Sequence, residues 1–147
     1  MNDYRSAVVH HAISCGAQHA KSIPNLTWDI TVTAYATNWA QHQATQDNCR
    51  LVHSGGKYGE NIYWSSWASV PGDAVRAWVG EQKYYNYSTN SCQKGQICGH
   101  YTQVVWRNTQ RLGCGSARCA AGSTFVVCSY DPPRNYIGQK PFDDKAG

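Results

Sequence analysis

The 147-residue chain has few of the features that mark membrane or nucleic-acid-binding proteins. No run of apolar residues approaches the length needed to cross a bilayer. Charged residues make up only 15% of the chain and the net charge is a mild +4, so no nucleic-acid partner is indicated. Methionine and phenylalanine are scarce, whereas six Trp and ten Tyr can fill the core of a single domain.

Common signatures of hydrolytic and redox sites are also absent. The chain has no His-Glu-x-x-His helix, no nucleophile elbow and no Cys-x-x-Cys pair, which excludes zinc-ribbon and thioredoxin sites. Ser54 directly follows His53, but neighbours in sequence seldom form a nucleophile–base pair. We interpret Ser54 as a hydrogen-bond partner of its local backbone, and the sequence predicts no enzyme.

Seven cysteines in a chain of this length indicate an oxidising compartment, and their odd number leaves one unpaired. Sequence alone does not choose among the possible pairings. No signal peptide is recognisable at the start, so we expect the mature part of a secreted, extracellular protein. Two motifs for N-glycosylation begin at Asn25 and Asn86.

Hydrophobic periodicity predicts a helical first half and a β-rich end. One helix is expected over residues 1–20, and a second begins near Thr27 as its N-cap. Residues 50–72 are rich in Gly and Ser and are predicted to be mostly loop. A third helix is expected to start with Asp73 as its N-cap. Strands are predicted over residues 111–119 and 124–130.

The stretch at residues 99–106 combines polar side chains with a run that favours burial. A histidine, a threonine and a glutamine stand directly before Val-Val-Trp at 104–106, which we predict to be a core strand. Glu81 lies one turn beyond Trp78 on the inner face of the third helix, where solvation would not place a carboxylate. Both features favour a polar site beside the core.

Five motifs in a fixed order connect these observations. They are His-Ser-Gly-Gly at 53–56, Gly-Glu-Asn at 59–61, Ala-Val-x-x-Trp-x-x-Glu at 74–81, Gly-His-Tyr-Thr-Gln-Val-Val-Trp at 99–106 and Cys-Ser-Tyr-Asp-Pro at 128–132. In this order they resemble the CAP superfamily of cysteine-rich secretory, antigen 5 and pathogenesis-related 1 proteins. The resemblance is closest to the pathogenesis-related 1 branch of plants and fungi, and it extends from about Leu26 to Phe142.

The resemblance implies an α+β fold, a three-layer α-β-α sandwich in which helices flank a small antiparallel sheet. We expect one CAP domain over residues 1–142 and a flexible C-terminal tail at 143–147. Two departures from the family pattern stand out. The usual His-Asn-x-x-Arg signature is missing from residues 10–16, and Arg134 occupies a position where the family usually has glycine.

A disulfide pattern is implied in the same way. The implied pairs are Cys49–Cys119, Cys92–Cys98 and Cys114–Cys128. Cys15 has no counterpart in the family pattern. Because Cys15 lies on the apolar face of the first predicted helix, we expect it to be an unpaired, buried and unreactive thiol.

The family's central cleft is lined by four residues, which correspond here to His53, Glu60, Glu81 and His100. Such a set can bind a divalent metal such as Zn²⁺, with the imidazoles as ligands and the carboxylates in support. Two nitrogens are fewer than a zinc site usually offers, so we expect weak binding and no required cofactor. A proton-transfer cluster, or a hydrogen-bonded set with a purely structural role, would use the same residues.

A second site is implied by the tyrosine-rich loop that the family associates with sterol binding. It corresponds to Tyr84, Tyr85 and Tyr87, followed by a segment that the implied Cys92–Cys98 disulfide would close. Tyrosines offer flat amphipathic surface, and the disulfide would pre-organise the loop. The alternative is an aromatic cluster that faces the core.

The sequence therefore predicts a secreted, monomeric CAP protein that binds sterols, or fatty acids, in a defence- or virulence-related setting. One alternative is a metal-dependent hydrolase that uses the four cleft residues. Another is a protein-interaction module in which the cleft is only structural.

Overall fold

A computed structural model of the chain describes residues 26–67, 71–133 and 140–141. The elements are β1 Thr27–Trp28, α1 Ile30–Gln46, β2 Gly59–Ser65, α2 Pro71–Val79, a 3-10 helix Gly80–Tyr84, β3 Tyr85–Asn86, β4 Ser91–Cys92, α3 Gly99–Val104, β5 Arg111–Arg118 and β6 Thr124–Asp131. None of the helices in these ranges is long and apolar enough to cross a membrane. The first predicted helix, Cys15, Arg134 and the tail at 143–147 lie outside the described residues.

Four strands form the main sheet in the order β1-β5-β6-β2. β6 is antiparallel to both of its neighbours, but β1 runs parallel to β5, with Thr27 opposite Arg111. The sheet is therefore mixed, and the expectation of a wholly antiparallel sheet is wrong in this detail. A parallel pair needs a long crossover connection, which the helices between β1 and β5 supply.

Strand β6 is buried on both faces and separates two cores. Its side chains alternate between them: Val126, Cys128 and Tyr130 belong to one core, and Phe125 and Val127 to the other. The first core is completed by side chains of α2 and α3, the second by side chains of α1. This arrangement is the three-layer α-β-α sandwich of an α+β fold.

Two glycines of β5 allow α1 to approach the sheet closely. A Cβ at Gly113 would lie 2.1 Å from the backbone nitrogen of Thr33, and one at Gly115 would lie 2.3 Å from Oγ1 of Thr37. No side chain fits at either position without moving the helix. Helix α1 is thus held against β5 by backbone contact.

Both expected N-caps are wrong. Asp29 caps α1, since its carboxylate accepts a hydrogen bond from the backbone nitrogen of Val32 at 2.8 Å. Thr27 lies in β1 instead, where its backbone pairs with β5. Asp73 lies inside the first turn of α2, and its side chain pairs with Arg76 one turn later. Neither Thr27 nor Asp73 therefore caps a helix: the backbone of Thr27 pairs with β5, and the side chain of Asp73 pairs with Arg76.

The Val-Val-Trp segment is buried as expected, but it is not a strand. Val104 ends helix α3, and Val105 and Trp106 follow it into the interior. Burial and secondary structure are separate properties, and a short apolar run does not distinguish a strand from a buried helix end.

The region predicted to be mostly loop contains strand β2, which pairs with β6 over its whole length from Gly59 to Ser65. Its Asn-Ile-Tyr-Trp core has the β-branched and aromatic residues that favour strands. The neighbouring Gly and Ser residues obscured this short pattern. β2 is important for the site because it carries Glu60 and Asn61.

The structure contains the three disulfides that the resemblance implies. Cys114 and Cys128 stand directly opposite each other in β5 and β6. Cys49 and Cys119 join the loop after α1 to the end of β5 across a sequence separation of 70. The Cys92–Cys98 bridge closes the segment between β4 and α3.

Candidate functional site

The first polar pair joins the loop after α1 to the start of β2. Oε1 of Glu60 lies 2.8 Å from Nδ1 of His53 and 2.9 Å from the backbone nitrogen of Ser54. Oε2 of Glu60 accepts a hydrogen bond from the Ser54 hydroxyl at 2.7 Å. The Glu60 side chain is only 6% exposed, whereas that of His53 is 65% exposed. A buried carboxylate therefore holds an exposed imidazole.

Tyr35 of α1 extends this arrangement. Its hydroxyl lies 2.7 Å from Oγ of Ser54, and because that Oγ donates to Glu60, it accepts from Tyr35. The backbone nitrogen of Gly56 donates to the same Oγ at 3.3 Å, which is the local hydrogen bond expected for Ser54. A Cβ at Gly56 would lie 1.8 Å from the Tyr35 hydroxyl oxygen. Residue 56, the second glycine of the motif, therefore has no room for a side chain while the Tyr35 hydroxyl is in this position.

Sequence reasoning did not assign Tyr35 to the site. Tyr35 recurs with apolar residues at helical spacing along α1, and such an aromatic pattern is typical of a core face. Its partner Ser54 is 19 residues away. No local pattern signals a contact across that separation, so only the fold could reveal it.

The second polar pair lies at the start of α3. Oε1 of Glu81 accepts hydrogen bonds from the backbone nitrogens of His100 and Tyr101, both at 3.1 Å, and Oε2 lies 2.7 Å from Nδ1 of His100. Cys98, at the N-cap position, makes no side-chain capping bond because its sulfur is in a disulfide. Glu81 therefore caps α3 from another element, where a carboxylate is favourable.

Asn61 connects the strand that carries Glu60 to the helix that carries His100. Its Nδ2 donates to the carbonyl oxygen of His100 at 3.1 Å and to the hydroxyl of Tyr130 at 3.3 Å. Burial raises the pKa of the Tyr130 hydroxyl, and the hydrogen bond from Asn61 offsets part of this effect. The His100 ring also stacks on the buried ring of Trp78, and the two ring centroids are 6.2 Å apart. The asparagine of the Gly-Glu-Asn motif thus fixes the position of α3.

The four predicted cleft residues form two His–Glu pairs, and no hydrogen bond joins one pair to the other in the part of the chain that is described. An ionised carboxylate only accepts, so each neutral imidazole donates from Nδ1 and carries its lone pair on Nε2. Such a lone pair can bind a metal ion or take up a proton. Among the described residues there is no group of three or more His, Cys, Asp or Glu side chains that could hold a metal ion.

The tyrosine-rich loop begins with the hairpin of β3 and β4. Tyr85 and Tyr87 pack against the first core, and the rings of Tyr85 and Tyr101 lie 5.7 Å apart. The Tyr85 hydroxyl donates to Oδ1 of Asn90 at 2.6 Å. Partial burial, with a smaller contribution from Tyr87, raises the pKa of Tyr85 to about 12. The inner side of the loop is therefore part of the core.

The outer side of the same loop faces solvent. Nζ of Lys140 lies 4.4 Å from the centre of the half-buried Tyr87 ring, and Nζ of Lys83 lies 5.1 Å from the Tyr84 ring. Ile97, inside the segment closed by the disulfide, is 65% exposed. The segment closed by the disulfide thus presents aliphatic surface to solvent, while Tyr85 and Tyr87 anchor the hairpin before it to the core.

Comparison with known proteins accounts for this combination of motifs, disulfides and paired residues. Residues 1–130 match the CAP family, described as the cysteine-rich secretory protein family. This chain belongs to the CAP family. Pathogenesis-related protein 1C of Nicotiana tabacum is 51% identical over 118 residues, which cover 80% of this chain and 69% of that protein. The PR-1 type protein of Sambucus nigra is 48% identical over 128 residues, covering 86% and 75%.

Solved structures with the same CAP fold share less sequence with this chain. Schistosoma mansoni venom allergen-like protein 4 superposes with a TM-score of 0.70 at 24% identity, covering 95% of this chain and 89% of that one. NaASP2, solved with Zn²⁺, gives a TM-score of 0.71 at 23% identity and covers 97% and 86%. The α+β sandwich is thus the CAP fold, and the chain is a pathogenesis-related 1-like member of the family.

Proposed function

We propose that this CAP protein binds sterols, and other small lipids such as fatty acids, through the tyrosine-rich loop. The observation that carries the proposal is the two-sided packing of that loop. Tyr85 and Tyr87 anchor its first part to the core, while Ile97, in the following segment that the Cys92–Cys98 disulfide closes, is largely exposed. A loop held in place from behind loses little conformational freedom when a ligand settles on its front.

The chemistry of a sterol suits such a surface. A sterol is a rigid apolar ring system with one hydroxyl group, so it needs apolar contact area and a single polar partner. Tyrosine supplies both on one side chain, and three tyrosines lie at 84, 85 and 87, where Tyr85 pairs across the hairpin with Cys92 of the Cys92–Cys98 bridge. Electrostatic recognition is unnecessary for an uncharged ligand of this kind.

The test compares two exposed isoleucines. Ile97→Ser should weaken binding of ergosterol or cholesterol about tenfold, because burying an isoleucine contributes about 1.5 kcal/mol or more. Ile30→Ser is the matched control, since Ile30 is 84% exposed at the start of α1. Breaking the Cys92–Cys98 bridge with two serines should weaken sterol binding more than it weakens folding. If Ile97→Ser and the double serine variant of the Cys92–Cys98 bridge both bind sterol with wild-type affinity, the loop is not the binding site.

We also propose that the protein is secreted and acts in defence or virulence outside the cell. Three disulfides within one small domain are typical of oxidising compartments. The relatives described above are named as pathogenesis-related proteins. The experiment is to express the natural gene with its own leader and to follow the protein and its disulfides into the medium. Retention in the cytosol with reduced thiols would contradict the proposal.

A non-enzymatic role is part of the same proposal. Among the described residues, hydrogen bonds connect the Ser54 hydroxyl to Tyr35 and Glu60 and not to an imidazole base. Purified protein should therefore show no peptidase or esterase activity. Hydrolysis that disappears in both His100→Ala and Glu60→Ala, with the fold intact, would instead favour a metal-dependent hydrolase. Ligand-independent capture of a partner protein would favour the interaction-module alternative.

We also propose weak binding of a divalent ion such as Zn²⁺ by His53 and His100. The carboxylates of Glu60 and Glu81 each meet an Nδ1 atom, which fixes the ring and leaves Nε2 as the ligand atom. NaASP2, which shares the fold, was solved with Zn²⁺. The ion would act here as a Lewis acid or a structural link between the two pairs.

Calorimetric titration with zinc tests this second function. Heat of binding should be lost in the His53→Ala/His100→Ala variant and kept in His42→Ala, whose ring stacks on Trp39 of α1. Uptake should weaken in acid, because protonated imidazole has no lone pair to donate. Equal heats in wild type and the double variant would place any bound metal elsewhere.

A further inference from the structure

The β3–β4 hairpin carries a second motif, which shares Tyr87 with the tyrosine-rich loop. Asn86, Tyr87 and Ser88 form an Asn-x-Ser acceptor for N-glycosylation at the point where β3 enters the turn. Such a motif occurs often by chance, so its structural setting decides whether it can be used. Three features of that setting favour use.

The first feature is exposure. Asn86 and Ser88 are both exposed, whereas the residue between them, Tyr87, packs its ring against the core. A glycan attached at Asn86 can therefore extend into solvent, and the anchored tyrosine keeps the hairpin in place beside it. A large hydrophilic group is compatible with folding only at such a position.

The second feature is the hydrogen bonding of the Asn86 amide. Its Oδ1 accepts a hydrogen bond from the backbone nitrogen of Thr89 at 3.2 Å, an arrangement of Asx-turn type in which the side-chain oxygen is engaged. The nitrogen Nδ2, which would carry the sugar, takes no part in that bond. Glycosylation would leave the oxygen and its turn contact intact.

The third feature is that hydrogen bonds from other groups hold the hairpin in place. The backbone nitrogen of Asn90 donates to the carbonyl of Tyr87, and the Tyr85 hydroxyl donates to Oδ1 of Asn90. The turn therefore keeps its shape without any contribution from Nδ2 of Asn86.

We infer that Asn86 is N-glycosylated when the protein passes through a eukaryotic secretory pathway. In this step a transferase moves a whole oligosaccharide from a lipid diphosphate to Nδ2. The bond between C1 of the first sugar and the diphosphate oxygen breaks, and a bond between C1 and Nδ2 forms. Nδ2 loses one proton, which balances the negative charge of the departing lipid diphosphate. The inference rests on the secretion proposed above and is independent of lipid binding.

The experiment uses the full chain secreted from yeast or insect cells behind a standard leader. The variants are wild type, Asn25→Gln, Asn86→Gln, Ser88→Ala and Ser88→Thr. Intact mass is measured before and after N-glycosidase treatment, and the Asn-to-Asp conversion left by the glycosidase is mapped in peptides. Asn25→Gln isolates Asn86 from the other acceptor of the chain.

We expect a glycan on most of the Asn25→Gln protein, none at residue 86 in Asn86→Gln or Ser88→Ala, and at least equal occupancy in Ser88→Thr. Protein recovered from the medium with three disulfides but with an unmodified Asn86 in both Asn25→Gln and Ser88→Thr would overturn the inference. That outcome leaves the proposed sterol binding untouched, because unglycosylated protein from bacteria tests it separately.

Discussion

Individual side chains in this protein are held in place by hydrogen bonds to residues that are distant in the sequence. Tyr35, Ser54 and Glu60 form a hydrogen-bonded series that ends at the exposed imidazole of His53. The series leaves space for nothing larger than glycine at residue 56. The second glycine of the first CAP motif is therefore a packing requirement.

This requirement can be tested by a double-mutant cycle. Gly56→Ala should destabilise the wild type by about 2 to 3 kcal/mol, because the new methyl group collides with the Tyr35 hydroxyl. In a Tyr35→Ala background the same change should cost less than about 1 kcal/mol. Denaturant unfolding measures both costs.

Gly55→Ala is the control for that cycle. A Cβ at Gly55 meets nothing within 4 Å, but its φ of +77° strains any other residue. Its cost should therefore be the same whether or not Tyr35 is present. A Gly56→Ala cost that is equally insensitive to Tyr35 would contradict the collision.

Buried tyrosines predict how stability changes at high pH. Burial raises the folded-state pKa of Tyr130 above its ordinary value of 10.0, and that of Tyr85 to about 12. The folded state therefore holds these protons more tightly than the unfolded state. Their contribution is complete below about pH 10 and is lost as pH rises from there through the folded-state values.

The measurement is the free energy of unfolding in urea between about pH 8 and pH 11.5, with free thiols blocked. The free energy of unfolding of the wild type should be constant near the lower end of this pH range and should decrease above about pH 10. Tyr130→Phe should lose less over the same interval. An identical slope in the two proteins would show that another group is responsible.

At the scale of elements, α3 shows how one side chain can allow a short helix to form. It has only six residues, and its N-cap residue is a disulfide cysteine without a capping bond. Glu81 supplies the missing acceptor from the 3-10 helix that follows α2. The carboxylate that looked like a catalytic or metal-binding group thus has a structural role in its own right.

Glu81→Ala should accordingly destabilise the protein by about 2 kcal/mol, because two backbone N–H groups lose their acceptor. Gln82→Ala, an exposed neighbour in the same 3-10 helix, should have little effect. Hydrogen exchange at His100 and Tyr101 should accelerate in the first variant only. Unchanged exchange there would mean that Glu81 does not cap α3.

At the scale of the whole molecule, the disulfides differ in what they constrain. Cys49–Cys119 spans 70 residues and ties α1 to the sheet, whereas Cys92–Cys98 spans six residues within one loop. In the chain-entropy treatment the first should contribute about 4 kcal/mol and the second about 2 kcal/mol. We therefore expect Cys49–Cys119 to contribute mainly to stability and Cys92–Cys98 mainly to the presentation of the ligand-binding loop.

Unfolding of the two double-alanine variants checks this division. Removing Cys49–Cys119 should lower the free energy of unfolding by clearly more than removing Cys92–Cys98. Sterol affinity should respond in the opposite order. Equal losses of stability would show that strain or residual structure outweighs loop length.

The motif order identified the family, because it depends on residue identity and spacing, and the family resemblance in turn implied the three disulfide pairs. Strands β5 and β6 were predictable for a similar reason, since the β-branched and aromatic residues of Thr124–Asp131 favour a strand, here one that is buried on both faces. The presence of His53, Glu60, Glu81 and His100 was also readable from the sequence alone.

The tertiary structure decided how those residues are partnered. It placed Glu81 as a cap on a short helix that ends at Val104, where the sequence predicted the start of a strand, and it brought Tyr35 to Ser54 from 19 residues away. It also put Thr27 into a two-residue strand parallel to β5. Each of these outcomes depends on a hydrogen bond or contact between segments distant in sequence, and local propensity carries no information about such partners.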